Sequence, residues 1–155
     1  MMCFQHQGSD DNITWYENLG SGNFGLQQVI STNAIRAESV YSIDLDGDGD
    51  NDVLSASFYK VAWYENLGNG NFGLQQVITT NVVRAKSVFS IDLDGDGDND
   101  VLSASAYIVA WYENLGNGNF GPQQVITTDA TSKMSVYSID IDGDGDNDVL
   151  WWLSR

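Results

Sequence analysis

The chain repeats itself every 48 residues. Trp15, Trp63 and Trp111 stand at that spacing, and so do Asp44, Asp92 and Asp140. Residues 13–60 and 61–108 agree at 38 of 48 positions. A period of about 20 to 50 residues marks a solenoid, a propeller or an array, because one such unit cannot bury its apolar face alone. The length of 155 residues allows one ordinary domain. We therefore read 1–155 as a single repeat domain, with repeats of about 13–60, 61–108 and 109–155, the last truncated.

Four segments of one period read as short strands: 39–45 (SVYSIDL), 52–59 (DVLSASFY), 61–67 (VAWYENL) and 72–79 (FGLQQVIT). They are rich in Val, Ile, Tyr, Phe and Trp, and turn residues separate them. The Asn-Gly pairs of NLGNGNFG suit a hairpin turn with positive φ. The segments are too short and too rich in Gly and β-branched residues for helix. Four antiparallel strands in about 45 residues is the size of a propeller blade. The fold class expected is all-β: a β-propeller of four-stranded antiparallel blades. Pro122 replaces the Leu found at 26 and 74. We place it in the fourth strand, at a blade's outer edge, where proline is tolerated.

Between the first two strands lies IDLDGDGDNDVL, residues 43–54, with five Asp at alternate positions. It returns at 91–102, and at 139–150 with Ile141 in place of Leu. Counting Asp44 as position 1, carboxylates fall at 1, 3, 5 and 9 (Asp44, Asp46, Asp48, Asp52). Gly49 takes position 6, where a sharp turn is needed, and Asp50 at 7 can offer its backbone carbonyl. This is the all-oxygen spacing of the first half of an EF-hand loop, and it favours Ca²⁺ over the tighter octahedron of Mg²⁺. Two carboxylates ~4 Å apart repel by roughly 1 kcal/mol in water and about 4 near a protein surface, so five together require a divalent ion or full solvation. A complete EF-hand is a weaker reading still. Position 12 is Ser55, Ser103 or Trp151 rather than Glu, and the flanks are strands.

Net charge is −16, and the three loops carry 15 of the 22 acidic residues. That field repels nucleic acid and anionic membrane surfaces. Cys3 is the only cysteine and His6 the only histidine, so neither an intramolecular disulfide nor a Cys/His zinc site is available. No run of 18 apolar residues occurs, and no membrane-spanning helix is expected. The start, MMCFQHQGSDDN, lacks the basic and apolar regions of a signal peptide.

DLDGDGDNDVL together with WYENLGNGNFG resembles the FG-GAP or VCBS-type repeat, related to the blades of integrin α-subunit propellers. The likeness covers about residues 13–150, and Phe24-Gly25, Phe72-Gly73 and Phe120-Gly121 match its Phe-Gly half. The Gly-Ala-Pro half is missing, so integrin ligand recognition is not carried over. The resemblance implies Ca²⁺, about three per chain. Its ligands would be Asp44, Asp46, Asp48, Asp50 and Asp52 in the first loop, and Asp92, Asp94, Asp96, Asp98 and Asp100 in the second. Asp140, Asp142, Asp144, Asp146 and Asp148 would serve the third. It further implies an extracellular or cell-surface protein for adhesion, carbohydrate or protein binding, without catalysis. Two other classes remain: a purely structural, self-assembling unit or fragment of a larger secreted propeller, and a glycoside hydrolase-like enzyme.

Other recurring residues are read as structural. Trp15, Trp63 and Trp111 are expected in the core between blades. Tyr16, Tyr64 and Tyr112 alternate to the opposite face of the strand and are expected to be more exposed. Glu17, Glu65 and Glu113 could pair as in a glycosidase, but an active site normally appears once rather than in every repeat. Arg36 and Arg84, replaced by Ser132 in the third copy, are placed on connections between blades. His6 and Cys3 fall in the divergent N-terminal arm.

The chain opens with strands three and four and closes with strands one and two, with two whole blades between. Three blades' worth of strands cannot close a propeller, which needs about four to eight. Two chains would make six, so the expected partner is a second copy, alongside a glycan or protein ligand.

Overall fold

The structure is a computed structural model that describes residues 11–130 and 134–153. Every regular element among them is a strand. One four-stranded antiparallel sheet runs β3 (Ser39–Ile43), β4 (Asp52–Ser57), β5 (Lys60–Tyr64), β6 (Gln76–Thr79). A second, 48 residues on, runs β7 (Ser87–Ile91), β8 (Asp100–Ala104), β9 (Val109–Tyr112), β10 (Gln124–Thr127). Two half-sheets flank them: the hairpin β1 (Ile13–Gly20) with β2 (Asn23–Ser31), and β11 (Met134–Ile139) with β12 (Asp148–Leu153). These are propeller blades, with the strand order and strand count expected from the repeat.

The first strands of successive repeats, β3, β7 and β11, stand side by side. Tyr41, Phe89 and Tyr137 form a ladder across them, with ring centroids 4.8 and 4.6 Å apart. Serines complete the contact: the Val88 amide donates to Ser39 Oγ at 3.4 Å, and the Val136 amide to Ser87 Oγ at 3.3 Å. Between the two whole blades a core forms from Leu54, Val61, Trp63, Val88, Val101 and Tyr112 among others. Trp111 and Trp151 pack on a second cluster, with Leu102, Val109 and Met134.

The fourth strand is shorter than expected. In the whole blades it starts at Gln76 and Gln124, and Phe72 and Phe120 meet the third strand only through isolated bridges to Asn66 and Asn114. At the hairpin tips Asn69 and Asn117 adopt φ of 54° and 53°, and beside the first of these bridges Gly73 N–H donates to Glu65 C=O at 2.8 Å. Pro122 lies just ahead of β10 rather than in it, at a position that needs no amide for the ladder.

Tyr64 and Tyr112 correct a second expectation, because both are buried. Strand alternation does turn them away from the tryptophans, but that face meets the preceding blade: Tyr64 lies among Ile13, Ile30 and Ala34, and its hydroxyl accepts a hydrogen bond from Gln75 Nε2. Of the three, only Tyr16, which has no preceding blade packed on it among the described residues, is exposed. The tryptophans lie where expected. Arg36 and Arg84 sit in the connections between sheets at φ of 53° and 55°, both over the Phe58 ring. Ser132, Cys3 and His6 lie outside the described residues.

Candidate metal centre

Each Asp loop joins the first two strands of its repeat and follows one hydrogen-bond scheme. Asp44 Oδ1 accepts from the Gly47 amide at 2.7 Å and its Oδ2 from the Gly49 amide at 3.0 Å. Asp46 Oδ1 accepts from the Asp48 amide at 3.2 Å, and Asp48 Oδ1 from the Asp50 amide at 2.8 Å. Local side-chain to backbone bonds of this kind are what Asp offers a turn. Gly49, at φ 95°, takes the left-handed conformation that a side chain resists. The second and third loops repeat the scheme, with Asp92 accepting from Gly95 and Gly97, and Asp140 from Gly143 and Gly145.

This folding brings acid groups together. One oxygen from each of Asp44, Asp46 and Asp48 lies within 4.8 Å of the others, and so do those of Asp92, Asp94 and Asp96. In the third loop the group is Asp140, Asp142 and Asp148. Across the three copies, positions 1, 3, 5 and 9 all enter such a group. Position 7 does not: the Asp50 and Asp98 carboxylates turn toward the hairpins of their own blades, near Gly68 and Gly116. That leaves the backbone carbonyl as what position 7 can offer. A carboxylate oxygen that accepts one N–H still has a free lone pair. The donor set therefore fits a hard divalent cation such as Ca²⁺, which takes six to eight oxygens.

Position 9 also holds the loop to its blade. Asp52 is fully buried; its Oδ2 accepts from the Leu45 amide at 2.9 Å and its Oδ1 from the Asn66 amide at 2.8 Å. Asp100 does the same with Leu93 and Asn114, at 2.9 and 2.7 Å. Burial pushes the Asp52 carboxyl up to about 6, over the opposing effect of those two N–H bonds and with a further push from Asp46 and Asp48. Asp100 is raised for the same reasons, and Asp46 chiefly by burial.

Two asparagine sets that sequence reasoning passed over tie neighbouring loops together. Asn99 Nδ2 donates to the Asp44 carbonyl and Asn147 Nδ2 to the Asp92 carbonyl, each 55 residues back. Buried Asn114 donates through Nδ2 to Leu45 C=O at 2.8 Å and Asn99 C=O at 3.0 Å. The available signal was their return in every repeat, at Asn51, Asn99 and Asn147 and at Asn18, Asn66 and Asn114.

Among curated proteins none matches the chain in sequence. Solved structures share its fold. A lectin of Agrocybe aegerita, described as recognising non-reducing terminal N-acetylglucosamine, superposes with TM-score 0.55 at 22% identity, over 92% of this chain and 37% of that one. A chain of the Photorhabdus luminescens Tc holotoxin pore superposes with TM-score 0.57 at 18% identity, over 90% of this chain and 7% of that one. The chain thus spans well under half the length of either. The family model for FG-GAP-like repeats matches three times, over residues 3–55, 44–103 and 92–151, and the chain belongs to that family.

Proposed function

We propose that each Asp loop holds one Ca²⁺, three per chain, and that the metal braces a propeller module acting outside the cell or on its surface. The module binds a glycan or protein ligand and performs no chemistry of its own. What supports the metal reading is the convergence of three carboxylate oxygens within 4.8 Å in every copy, in a turn whose backbone amides already orient them. Asp44, Asp46, Asp48 and Asp52 supply carboxylates and Asp50 its carbonyl, with Asp92 to Asp100 and Asp140 to Asp148 in the same roles at alternate positions. Supporting the binding role are the family's repeat and a fold shared with a lectin. The working form is a closed ring of two chains.

Isothermal calorimetry with Ca²⁺ tests the metal, and no heat at millimolar concentration would overturn it. Glycan-array binding that a chelator abolishes would support the ligand role. A purely structural unit would bind nothing on any array while keeping its closed assembly.

A further inference from the structure

The geometry points to a carboxylate-binding subsite at the end of the blades opposite the Asp loops, where Arg36 and Arg84 converge on Phe58 and take the acid group of an acidic glycan. The inference rests on the ligand role proposed above and names its ligand class; it needs neither the metal nor the ring.

Each blade has two ends. The Asp loop joins strands one and two at one of them, so the turn between strands two and three and the connection from strand four to the next blade fall at the other. Backbone bonds lock these pieces together around Phe58. Its amide donates to Ile35 C=O at 3.1 Å, in the connection before the blade. Its carbonyl accepts from the Arg84 amide at 2.7 Å, in the connection after the blade. Arg36 and Arg84 thus meet over a single ring, with guanidinium carbons 5.0 and 5.6 Å from its centroid. Both arginines are exposed and Phe58 is half-buried. Tyr59 is exposed beside it, with the two rings 4.4 Å apart.

This place differs from the repeated scaffold in its charge, its backbone and its sequence. The basic residues among those described are Arg36, Lys60, Arg84 and Lys86, and all four belong to this end. Lys86 pairs with Glu38, and the Lys60 ammonium turns down its blade to donate to Gln75. Neither arginine has an acidic partner among the described residues, in a chain of net charge −16. Contact with the ring holds each guanidinium in place and leaves its N–H donors for a ligand. Both arginines also take left-handed backbone, at φ of 53° and 55°. The other described non-glycine residues that do so, Ser21, Asn69 and Asn117, sit at hairpin tips. Arginine has no short polar side chain to ease that conformation, and strained backbone gathers at functional sites. Where repeats 13–60 and 61–108 differ, only three pairs change charge or lose a ring: Glu38 and Lys86, Phe58 and Ala106, Lys60 and Ile108. All three stand at this end. With Ala106 in the next turn and Ser132 in the next connection, the Arg–Phe–Arg arrangement occurs once, whereas scaffold recurs in every repeat.

The chemistry selects a carboxylated sugar. Guanidinium forks match a carboxylate, and the exposed Tyr59 ring offers an apolar face with a polar tip to a pyranose. A peptide docking as a strand needs free main-chain donors and acceptors, and those of Phe58 are already bonded to the two connections. The Asp loops do not oppose an anion here. Strands of five and six residues separate the two ends by about 17–20 Å, well beyond the ~8 Å screening length at physiological salt.

The test is calorimetry on the full chain in Ca²⁺ with four probes: an oligomer of glucuronic acid, its carboxyl-reduced neutral form, a sulfated oligosaccharide without carboxylates, and an oligoglutamate peptide. The uronic oligomer should bind and the neutral form should not. Arg84→Ser should weaken binding by about tenfold or more, the loss of one charge-assisted hydrogen bond. Phe58→Ala, which frees both guanidinium groups, should also weaken it. These two variants install the residues that the chain itself carries at 132 and 106. Arg84→Lys keeps the charge but loses the fork, so it should weaken binding too, and it decides the matter if Arg84→Ser does not fold. Lys60→Ile removes the same unit of charge at the same end, away from the ring, and should leave binding unchanged. Equal binding of the acidic and neutral forms, preference for the sulfated sugar or the peptide, or uronate binding that Arg84→Lys and Phe58→Ala leave unchanged overturns the subsite while the ligand role stands. No heat with any probe also overturns the subsite, and a blank glycan array would then remove the glycan role with it.

Discussion

The side-chain amide of Asn99 donates to the backbone carbonyl of Asp44 across 2.9 Å, and so fastens the second Asp loop to the first. Asp44 also collects two amides of its own loop through its carboxylate. The first residue of one candidate metal loop is thus held from the next repeat. Asn99→Ala should destabilise the chain by about 1 kcal/mol, the usual net value of one hydrogen bond. It should also weaken Ca²⁺ binding in the first loop, with no ligand removed. Denaturant titration and calorimetry check both, and an unchanged midpoint would show that the loops are not coupled through this bond.

Metal stoichiometry follows from the three matching loops. Three Ca²⁺ per chain are expected, with dissociation constants of roughly 10⁻⁴ to 10⁻³ M if the loops behave as extracellular modules do. Asp48→Ala removes one acid from the first group and should abolish that site while leaving the other two. Loss of all three sites would mean that the loops bind as one unit.

Ca²⁺ binds the folded loop and not the unfolded chain, so it should raise the melting temperature by mass action. At about 100 times the dissociation constant each independent site contributes about 2.7 kcal/mol. Excess chelator should lower the transition. A melt that is the same with and without chelator would reduce the loops to acidic turns.

The period, the strand count and the acid loops were legible because they are local: each blade and each Asp turn is built within about 50 residues by hydrophobic alternation and turn chemistry. What was hidden lies between repeats. Tyr64 looked exposed because alternation places it opposite Trp63, but alternation cannot say that another blade covers that face. Nothing local singles out Asn99 and Asn114, because their partners Asp44 and Leu45 sit 55 and 69 residues away. Pro122 was put inside the fourth strand because hydrophobic pattern does not show that the ladder resumes only at Gln124. The side chains of Asp50 and Asp52 part company for a reason only packing supplies. One turns to its hairpin, and the other is buried against two amides.

Close contact between Trp63 and Gly118 gives a test within one chain. An alanine at 118 would put its Cβ 2.3 Å from the indole, at a backbone φ of 67°. Overpacking of this kind costs about 1–3 kcal/mol, added to the strain of left-handed backbone, roughly 1–2 kcal/mol. Gly95→Ala carries strain nearer to this at φ 81° but meets nothing within 4 Å. Gly118→Ala should therefore melt lower than Gly95→Ala. Equal transitions would show that the two blades separate without cost at this contact.

The buried Asp52 carboxyl makes stability depend on pH in a direction opposite to that of a salt-bridged acid. Its folded-state value, about 6, lies above the ordinary Asp value of about 3.9. Between those two values the folded chain holds a proton that the unfolded chain has released. Stability of the ion-free protein should then fall as pH rises through that interval, since stability falls wherever the native state binds more protons. Asp100 and Asp46, also raised, act in the same direction. A divalent ion requires the anionic carboxylates and must expel those protons. Calcium affinity should therefore fall as pH is lowered below about 6, where ion-free stability gains. The expected outcome in chelator is a higher melting temperature at pH 5 than at pH 8, with the order reversed in saturating Ca²⁺. If ion-free melts rose steadily from pH 5 to pH 8, the buried aspartates would have to be charged at no cost in the folded chain, contrary to their enclosure.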